Sequence, residues 1–133
     1  MTKYYPMCSL IIPGTTDSPL VKLDNENGSI EIEGKSTLSD PLSFYSDLLK
    51  QINNVNQNKL QTVNIRLSYI NTGSTKWMLF LIKQLEKMAA PFNAMVVNWY
   101  YEEDDESMEM TGQDYQSLLK VPFNLIPEQS SDN

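Results

Sequence analysis

The segment Leu60–Lys76, with the sequence LQTVNIRLSYINTGSTK, decides the fold. Its first part alternates apolar and polar side chains, which is the period of a strand with one buried face and one wet face. The apolar set is Val63, Ile65, Leu67 and Tyr69, and the polar set is Thr62, Asn64, Arg66 and Ser68. A turn of capping residues, Asn71–Thr75, follows and leads directly into a helical pattern. This order of strand, turn and helix predicts an α/β protein.

Helical and strand patterns alternate on both sides of this segment. The runs 19–24 and 28–34 flank a polar loop closed by Asn27-Gly28, which indicates a hairpin, and 9–12 is a short apolar run before them. A helix is predicted from Pro41, after the capping residue Asp40. Further strands are predicted at 94–101 and 121–126. The apolar helical positions are Leu42, Tyr45, Leu49 and Ile52 in the first helix, Met78, Leu81, Ile82, Leu85, Met88 and Ala89 in the second, and Met108, Tyr115, Leu118 and Leu119 in the third.

Short connections around each helix favour right-handed crossovers between parallel strands. The central strand is amphipathic, whereas a sheet covered on both faces needs strands that are apolar on both sides. We therefore predict a single mixed β-sheet, made of an N-terminal antiparallel hairpin plus parallel strands, with helices mainly on one face.

Length and composition narrow the possible functions. A chain of 133 residues suits one domain, here 1–133 with short polar tails at about 1–7 and 127–133. The net charge of −7 gives no basic footprint for nucleic acid. Histidine is absent and Cys8 is the single cysteine, which excludes histidine-based catalysis and disulfide or cysteine–zinc frameworks within the chain. The N-terminal apolar stretch is too short for a signal or a membrane span, so we expect a cytoplasmic protein.

The turn after the central strand is the first candidate site. Free backbone N–H groups and the helix dipole make a helix start receptive to anions. The hydroxyls of Thr72, Ser74 and Thr75 can cap the helix, accept a phosphoryl group or help to bind a phosphate ligand. The spacing of a P-loop is missing.

The acidic run 102–109 is the second candidate site, with six carboxylates in eight residues. It could hold magnesium or calcium, start a helix as a solvated loop, or form a docking epitope for a basic partner. Trp77 and Phe80 lie outside the apolar stripe of the second helix, as core-edge residues or as an exposed aromatic patch. Arg66, the only arginine, could pair with Glu31 or Glu33, or contact a partner.

Two stretches carry a resemblance to a known family. Leu67–Lys76 and Val97–Met108 resemble the two signatures of the SiaC-type regulatory phosphoproteins, and the resemblance runs from about Pro19 to Ile126. It is also carried by Ile32–Ser36, Asp40–Tyr45 and Val121–Phe123. It implies a STAS-like fold, similar to the anti-sigma-factor antagonists. It also implies a bacterial signalling protein with no enzymatic activity, no cofactor and no metal.

The resemblance also implies a switch. The family's threonine after the asparagine of the turn corresponds to Thr72. It is phosphorylated by a partner Ser/Thr protein kinase and cleared by a PP2C-type phosphatase, and the unphosphorylated form binds and activates a diguanylate cyclase. Gly73 stands where the family often has serine. We expect Asn71, Gly73 and Ser74 to shape the turn, and we expect partner contacts from Trp77, Phe80, Glu102, Glu103, Asp104 and Asp105.

Two other functions stay open at this point. One is a module that senses a small anion or phosphate ligand at the helix start. The other is a magnesium-dependent, phosphate-handling enzyme that uses the acidic run.

Overall fold

The computed structural model describes residues 9–57, 60–89 and 95–129. In it, strands and helices follow one another in the order that the sequence predicts. The strands are β1 Leu10–Ile12, β2 Leu20–Asp24, β3 Ser29–Ser36, β4 Thr62–Ile70, β5 Val96–Glu102 and β6 Phe123–Glu128. The helices are α1 Pro41–Val55, α2 Thr72–Met88 and α3 Glu106–Leu118. In this part of the chain no helix is long and apolar enough to cross a membrane.

The six strands form one sheet whose spatial order equals their order in the chain. β1, β2 and β3 pair antiparallel, and β3 to β6 pair parallel. The buried strand side chains lie on one face with the helices, whereas the opposite face carries half-exposed polar side chains. The predicted mixed sheet, with its antiparallel hairpin and its helices on one face, is confirmed.

α3 is fixed to the sheet through Trp99. The Trp99 ring is fully buried, lies 5.2 Å from the Tyr115 ring, and donates a hydrogen bond from Nε1 to the Met108 carbonyl at 2.9 Å. Gly112 faces this ring, and a Cβ added to it would lie 2.6 Å from Trp99 Cδ1 and 2.6 Å from Leu125 Cδ2. The close approach of helix and sheet therefore requires glycine at this position.

A β-bulge near the end of β4 overturns one expectation. The parallel register runs to Gly34↔Leu67 and resumes at Lys35↔Tyr69, so Ser68 is an extra residue. Gly34 has a φ of 115°, a conformation that glycine adopts without strain. The extra residue reverses the alternation, so that Tyr69 is 55% exposed and the prediction that it lies on the buried face is wrong.

Other differences concern helix stripes and element ends. Leu42 and Leu118 are 50% and 57% exposed, so their placement in apolar stripes is wrong. In α1 the buried positions are Tyr45, Leu48 and Ile52, with Leu48 one turn after Tyr45. α1 begins at Pro41 after the cap Asp40, as predicted, and β6 continues past its expected end to Glu128. Cys8 and residue 94, the expected first residue of β5, lie outside the described residues.

Candidate functional site

Asn71 fixes the turn between β4 and α2. It is the N-cap of α2, and its side-chain oxygen accepts a hydrogen bond from the Ser74 backbone N–H at 2.9 Å. Its side-chain Nδ2 donates to the Leu38 carbonyl at 3.1 Å, and its backbone N–H donates to the Ser36 carbonyl at 2.9 Å. The turn is therefore anchored to the segment that leads into α1, and its backbone is held in a defined position.

The three hydroxyls of the turn differ in accessibility. Thr72, the first residue of α2, is exposed. Ser74 is fully buried, and its Oγ has no hydrogen-bond partner among the described residues. Thr75 is half-buried, and its Oγ1 donates to the Asn71 carbonyl at 2.9 Å. In this conformation the hydroxyl-bearing residue most accessible to an enzyme is Thr72.

Two buried phenols form hydrogen bonds at or next to the turn. The Tyr115 hydroxyl of α3 donates to the Thr75 carbonyl at 2.5 Å, and burial raises the pKa of this phenol. Tyr45 of α1 lies 2.6 Å from Ser36 Oγ, and burial raises the pKa of Tyr45 to about 12. Both phenols are neutral at physiological pH and act as hydrogen-bonding groups: Tyr115 joins α3 to the first turn of α2, and Tyr45 joins α1 to the end of β3.

Gly73 occupies an ordinary helical position. A Cβ there would lie 3.5 Å from Pro41 Cγ, which is normal van der Waals contact. The Cβ of a serine, which the resembled family often has at this position, would therefore fit here without a clash. The same contact shows that the first turns of α1 and α2 adjoin each other.

The acidic run divides between a helix cap and exposed carboxylates. Asp105 is the N-cap of α3, and its Oδ1 accepts from the Met108 backbone N–H at 3.1 Å. Glu109 accepts a hydrogen bond from the Tyr101 hydroxyl at 3.3 Å. The pKa of Tyr101 is raised, mainly by burial and to a smaller extent by the negative charge of Glu109. The exposed members include Glu102, Glu103 and Asp104. In the described ranges no group of three or more metal-ligating side chains could hold a metal ion.

The parallel topology brings the two candidate sites to one edge of the sheet. The N-caps Asp40, Asn71 and Asp105 follow the carboxyl ends of β3, β4 and β5. The carboxyl ends of parallel strands share an edge, so Thr72 and the acidic run lie at that same edge. The helix N-termini at this edge stabilise nearby negative charge through the helix dipole.

The two aromatic residues of α2 have different environments. Trp77 is half-buried and packs against the core, whereas Phe80 is 39% exposed. Their rings make an edge-to-face contact, with centroids 5.4 Å apart. Trp77 is thus a core-edge residue, and Phe80 is the exposed member of the pair.

Arg66 has a partner that the sequence reasoning missed. Its Nε and Nη2 each donate to the Glu128 carboxylate at 3.0 Å, and its guanidinium lies 4.1 Å from the centre of the Tyr100 ring. The hydrogen bonds that Arg66 donates to the Glu128 carboxylate raise the pKa of Arg66. Of the possibilities left open by the sequence, an ion pair with Glu31 or Glu33 is not found among the described residues: Glu31 accepts from Asn64 Nδ2 at 2.7 Å, and Glu33 influences Arg66 through its charge alone. No local signal points to Glu128, since it lies on β6, two strands away from β4.

An amide ladder continues this polar face. Asn64 Oδ1 accepts from Asn98 Nδ2 at 2.8 Å, and Asn98 Oδ1 accepts from Asn124 Nδ2 at 2.9 Å. The ladder ends at the Glu31 carboxylate, so four neighbouring strands share one row of side-chain hydrogen bonds.

The sequence matches one family model over most of its length and is similar to one curated protein. Residues 12–128 match the family model described as SiaC family regulatory phosphoprotein. An uncharacterized protein of Pseudomonas aeruginosa strain UCBPP-PA14 is 23% identical over 120 residues, which cover 88% of this chain and 94% of that protein.

Solved structures show the same fold. SiaC of Pseudomonas aeruginosa in complex with the diguanylate cyclase SiaD, whose activator it is, gives a TM-score of 0.75 at 22% identity, covering 90% of this chain and 99% of that one. Apo-SiaC from the same organism gives a TM-score of 0.72 at 22% identity, covering 88% of this chain and 97% of that one. At this level of identity the likeness is one of fold.

Proposed function

The chain belongs to the SiaC family of regulatory phosphoproteins, and we propose on this premise that it is a non-enzymatic, cytoplasmic signalling protein switched by phosphorylation of Thr72. It acts as a single domain. A Ser/Thr protein kinase adds the phosphate and a PP2C-type phosphatase removes it. The unphosphorylated form binds an output enzyme.

The observation that carries this proposal is the difference in accessibility within the turn. Thr72 is exposed, whereas Ser74 is fully buried and the Thr75 hydroxyl already donates to the Asn71 carbonyl. A kinase must bring its phosphate donor to the acceptor oxygen, and Thr72 needs the least rearrangement of the fold for this step. Anchoring by Asn71 presents the acceptor at a fixed place.

The output enzyme proposed here is a diguanylate cyclase. This part of the proposal is supported by the fold likeness to SiaC of Pseudomonas aeruginosa, solved in complex with the diguanylate cyclase SiaD. We expect the contacts to come from the edge that carries Thr72, from Phe80 and from the exposed acids Glu102, Glu103 and Asp104.

The switch follows from the charge of a phosphate group. Phosphorylation adds about −1.5 to −2 charge and three acceptor oxygens. At a helix N-terminus the dipole favours this charge by about 0.3–1 kcal/mol, so the fold tolerates it. A partner surface that covers a neutral threonine would have to bury the dianion unpaired, at a cost of several kcal/mol and a loss of orders of magnitude in affinity. Phosphorylation therefore blocks an interface without remodelling the domain.

Two assays test the assignment. The purified chain is phosphorylated by its kinase and the site is mapped by peptide mass spectrometry, with Ser74→Ala and Thr75→Val as controls that keep Thr72. Phosphate is expected on Thr72 in the parent and in both controls. Pull-down with wild-type, Thr72→Ala and Thr72→Asp baits is expected to retain the cyclase on the first two only. Phosphate on Ser74 alone, or equal binding by all three baits, would overturn the proposal.

The alternative function is a sensor of a small phosphate-bearing ligand at the start of α2. It is favoured by the exposure of Thr72 and Gly73, because the first backbone N–H groups of a helix lack intrahelical partners and can bind an anion. Thermal stabilisation by a phosphate metabolite would be its signature. A magnesium-dependent phosphate-handling enzyme would instead show heat on titration with magnesium and a nucleotide.

A further inference from the structure

Lysine side chains gather at the end of the helix layer that lies farthest along α2 from Thr72. Lys83, Lys87 and Lys120 line a groove between α2 and the end of α3. Lys87 also lines the neighbouring groove between α1 and α2, together with Lys50. As far as the described residues go, Glu86 is the one carboxylate lining these two grooves. We call the four lysines the lysine patch.

Within the part of the chain that the structure describes, the ammonium groups of the lysine patch are unpaired. In the ranges 9–57, 60–89 and 95–129, none of the four has a carboxylate oxygen within 4.0 Å. The chain as a whole has a net charge of −7, so a locally cationic surface runs against its overall balance.

Helix-dipole stabilisation does not account for all four lysines. Lys87 lies in the last turn of α2, where a cation favours the helix C-terminus. The last turns of α1 and α3 hold no basic residue. Lys120 follows the C-cap of α3, Leu119, whereas Lys50 and Lys83 lie before the last turns of their helices. The helix dipole therefore does not explain the positions of Lys50 and Lys83.

The same surface offers apolar contact. Leu118 is 57% exposed and lines the groove with Lys83, Lys87 and Lys120. In the adjoining groove Leu49 and Met88 are half-buried beside Lys50. The occupant that fits must bring negative charge and apolar side chains together.

We propose that the lysine patch binds an acidic amphipathic helix of a partner protein. Its carboxylates meet the four ammonium groups, and its apolar side chains cover Leu118, as in helix-in-groove recognition. Nucleic acid is disfavoured, because the net charge of −7 repels a polyanion and a phosphate backbone gains nothing from an exposed leucine. This site is separate from Thr72 and does not depend on the switch.

The test is an amide-resolved NMR titration of the full chain with a synthetic amphipathic helical peptide that carries leucines along one face and glutamates beside them. The glutamates of this peptide border the leucine face, so that both kinds of side chain reach the groove together. Shift changes are expected in the C-terminal half of α2 and around Lys120. The double variant Lys83→Glu/Lys120→Glu is expected to weaken binding about tenfold or more, since two favourable charges become repulsive. The matched control Lys35→Glu, an exposed lysine on β3, is expected to bind as the parent does.

Several results would overturn this proposal. One is that Lys35→Glu weakens peptide binding as much as the double variant does. Another is that a peptide with glutamine in place of glutamate binds as tightly as the glutamate peptide. A third is that a DNA duplex binds to the same residues more tightly than the peptide does. Salt-sensitive self-association that the double variant abolishes would assign the patch to a second copy of the chain. Circular dichroism checks that the variants are folded, so that loss of binding is read as loss of the surface.

Discussion

The side-chain oxygen of Asn71 accepts a hydrogen bond from the backbone N–H of Ser74 at 2.9 Å. This bond closes the first turn of α2, and it leaves Thr72 exposed while the Ser74 side chain is buried. The proposed switch depends on this arrangement, because it presents one hydroxyl of the turn and withdraws another.

Substitution of Asn71 tests the anchoring of the turn. Asn71→Ala removes both the cap and the bond to the Leu38 carbonyl, and we expect a loss of about 1–2 kcal/mol in the free energy of unfolding. Asn71→Asp keeps a capping oxygen but loses the donor to Leu38, so a smaller loss is expected. Urea denaturation measures both, and an equal loss in the two variants would contradict the separate roles of the two side-chain atoms.

Ser74→Ala tests the unpaired buried hydroxyl. Ser74 Oγ is buried without a hydrogen-bond partner among the described residues, so its removal relieves a desolvation penalty. We expect the free energy of unfolding to rise by about 1 kcal/mol. Thermal denaturation gives the result, and a clear destabilisation would show that the hydroxyl has a partner in solution, such as a buried water.

Two glycines in helices form a matched pair for packing. Gly112→Ala places a Cβ 2.6 Å from Trp99 Cδ1, and we expect a loss of about 1–3 kcal/mol from overpacking. Gly73→Ala places a Cβ at 3.5 Å from Pro41 Cγ, and we expect a gain of up to about 1 kcal/mol from reduced chain entropy. Chemical denaturation of both compares them, and equal effects would contradict the described contact between α3 and Trp99.

Alkaline pH tests the buried phenols. Burial raises the pKa of Tyr45 from 10.0 to about 12, so the unfolded chain loses this proton first as the pH rises. The contribution of Tyr45 to stability is therefore complete below pH 10.0 and is lost as the pH passes from 10.0 to about 12. Each such group lowers the free energy of unfolding by at most about 1.4 kcal/mol per pH unit. Tyr45→Phe should reduce this alkaline slope, and a slope that Tyr45→Phe leaves unchanged would contradict the assignment.

The sheet was predictable because its signals are local. The alternation in 62–67 placed Val63, Ile65 and Leu67 on the buried face, and Asp40-Pro41 located the start of α1. Tyr69 was misplaced because the bulge arises where β4 meets Gly34 on another strand, which no pattern within β4 reveals. Local patterns specify the faces of a strand only while its register is regular.

The site was predictable in part for the same reason. The Asn71 cap and the helix start could be recognised from neighbouring residues. The burial of Ser74 and the exposure of Thr72 depend on how α2 is rotated against the sheet, which is a property of the packed fold. The Arg66–Glu128 pair joins residues 62 positions apart in the chain, so only the strand order could supply it.

The most direct test of the central claim is the affinity of a diguanylate cyclase for the chain with and without phosphate on Thr72, measured by isothermal titration calorimetry. The phosphorylated sample is prepared with the kinase, and its single site is verified by peptide mapping. The switch predicts tight binding of the unphosphorylated chain and of Thr72→Ala, and a loss of at least about a hundredfold on phosphorylation. An affinity that phosphate on Thr72 leaves unchanged would contradict the switch.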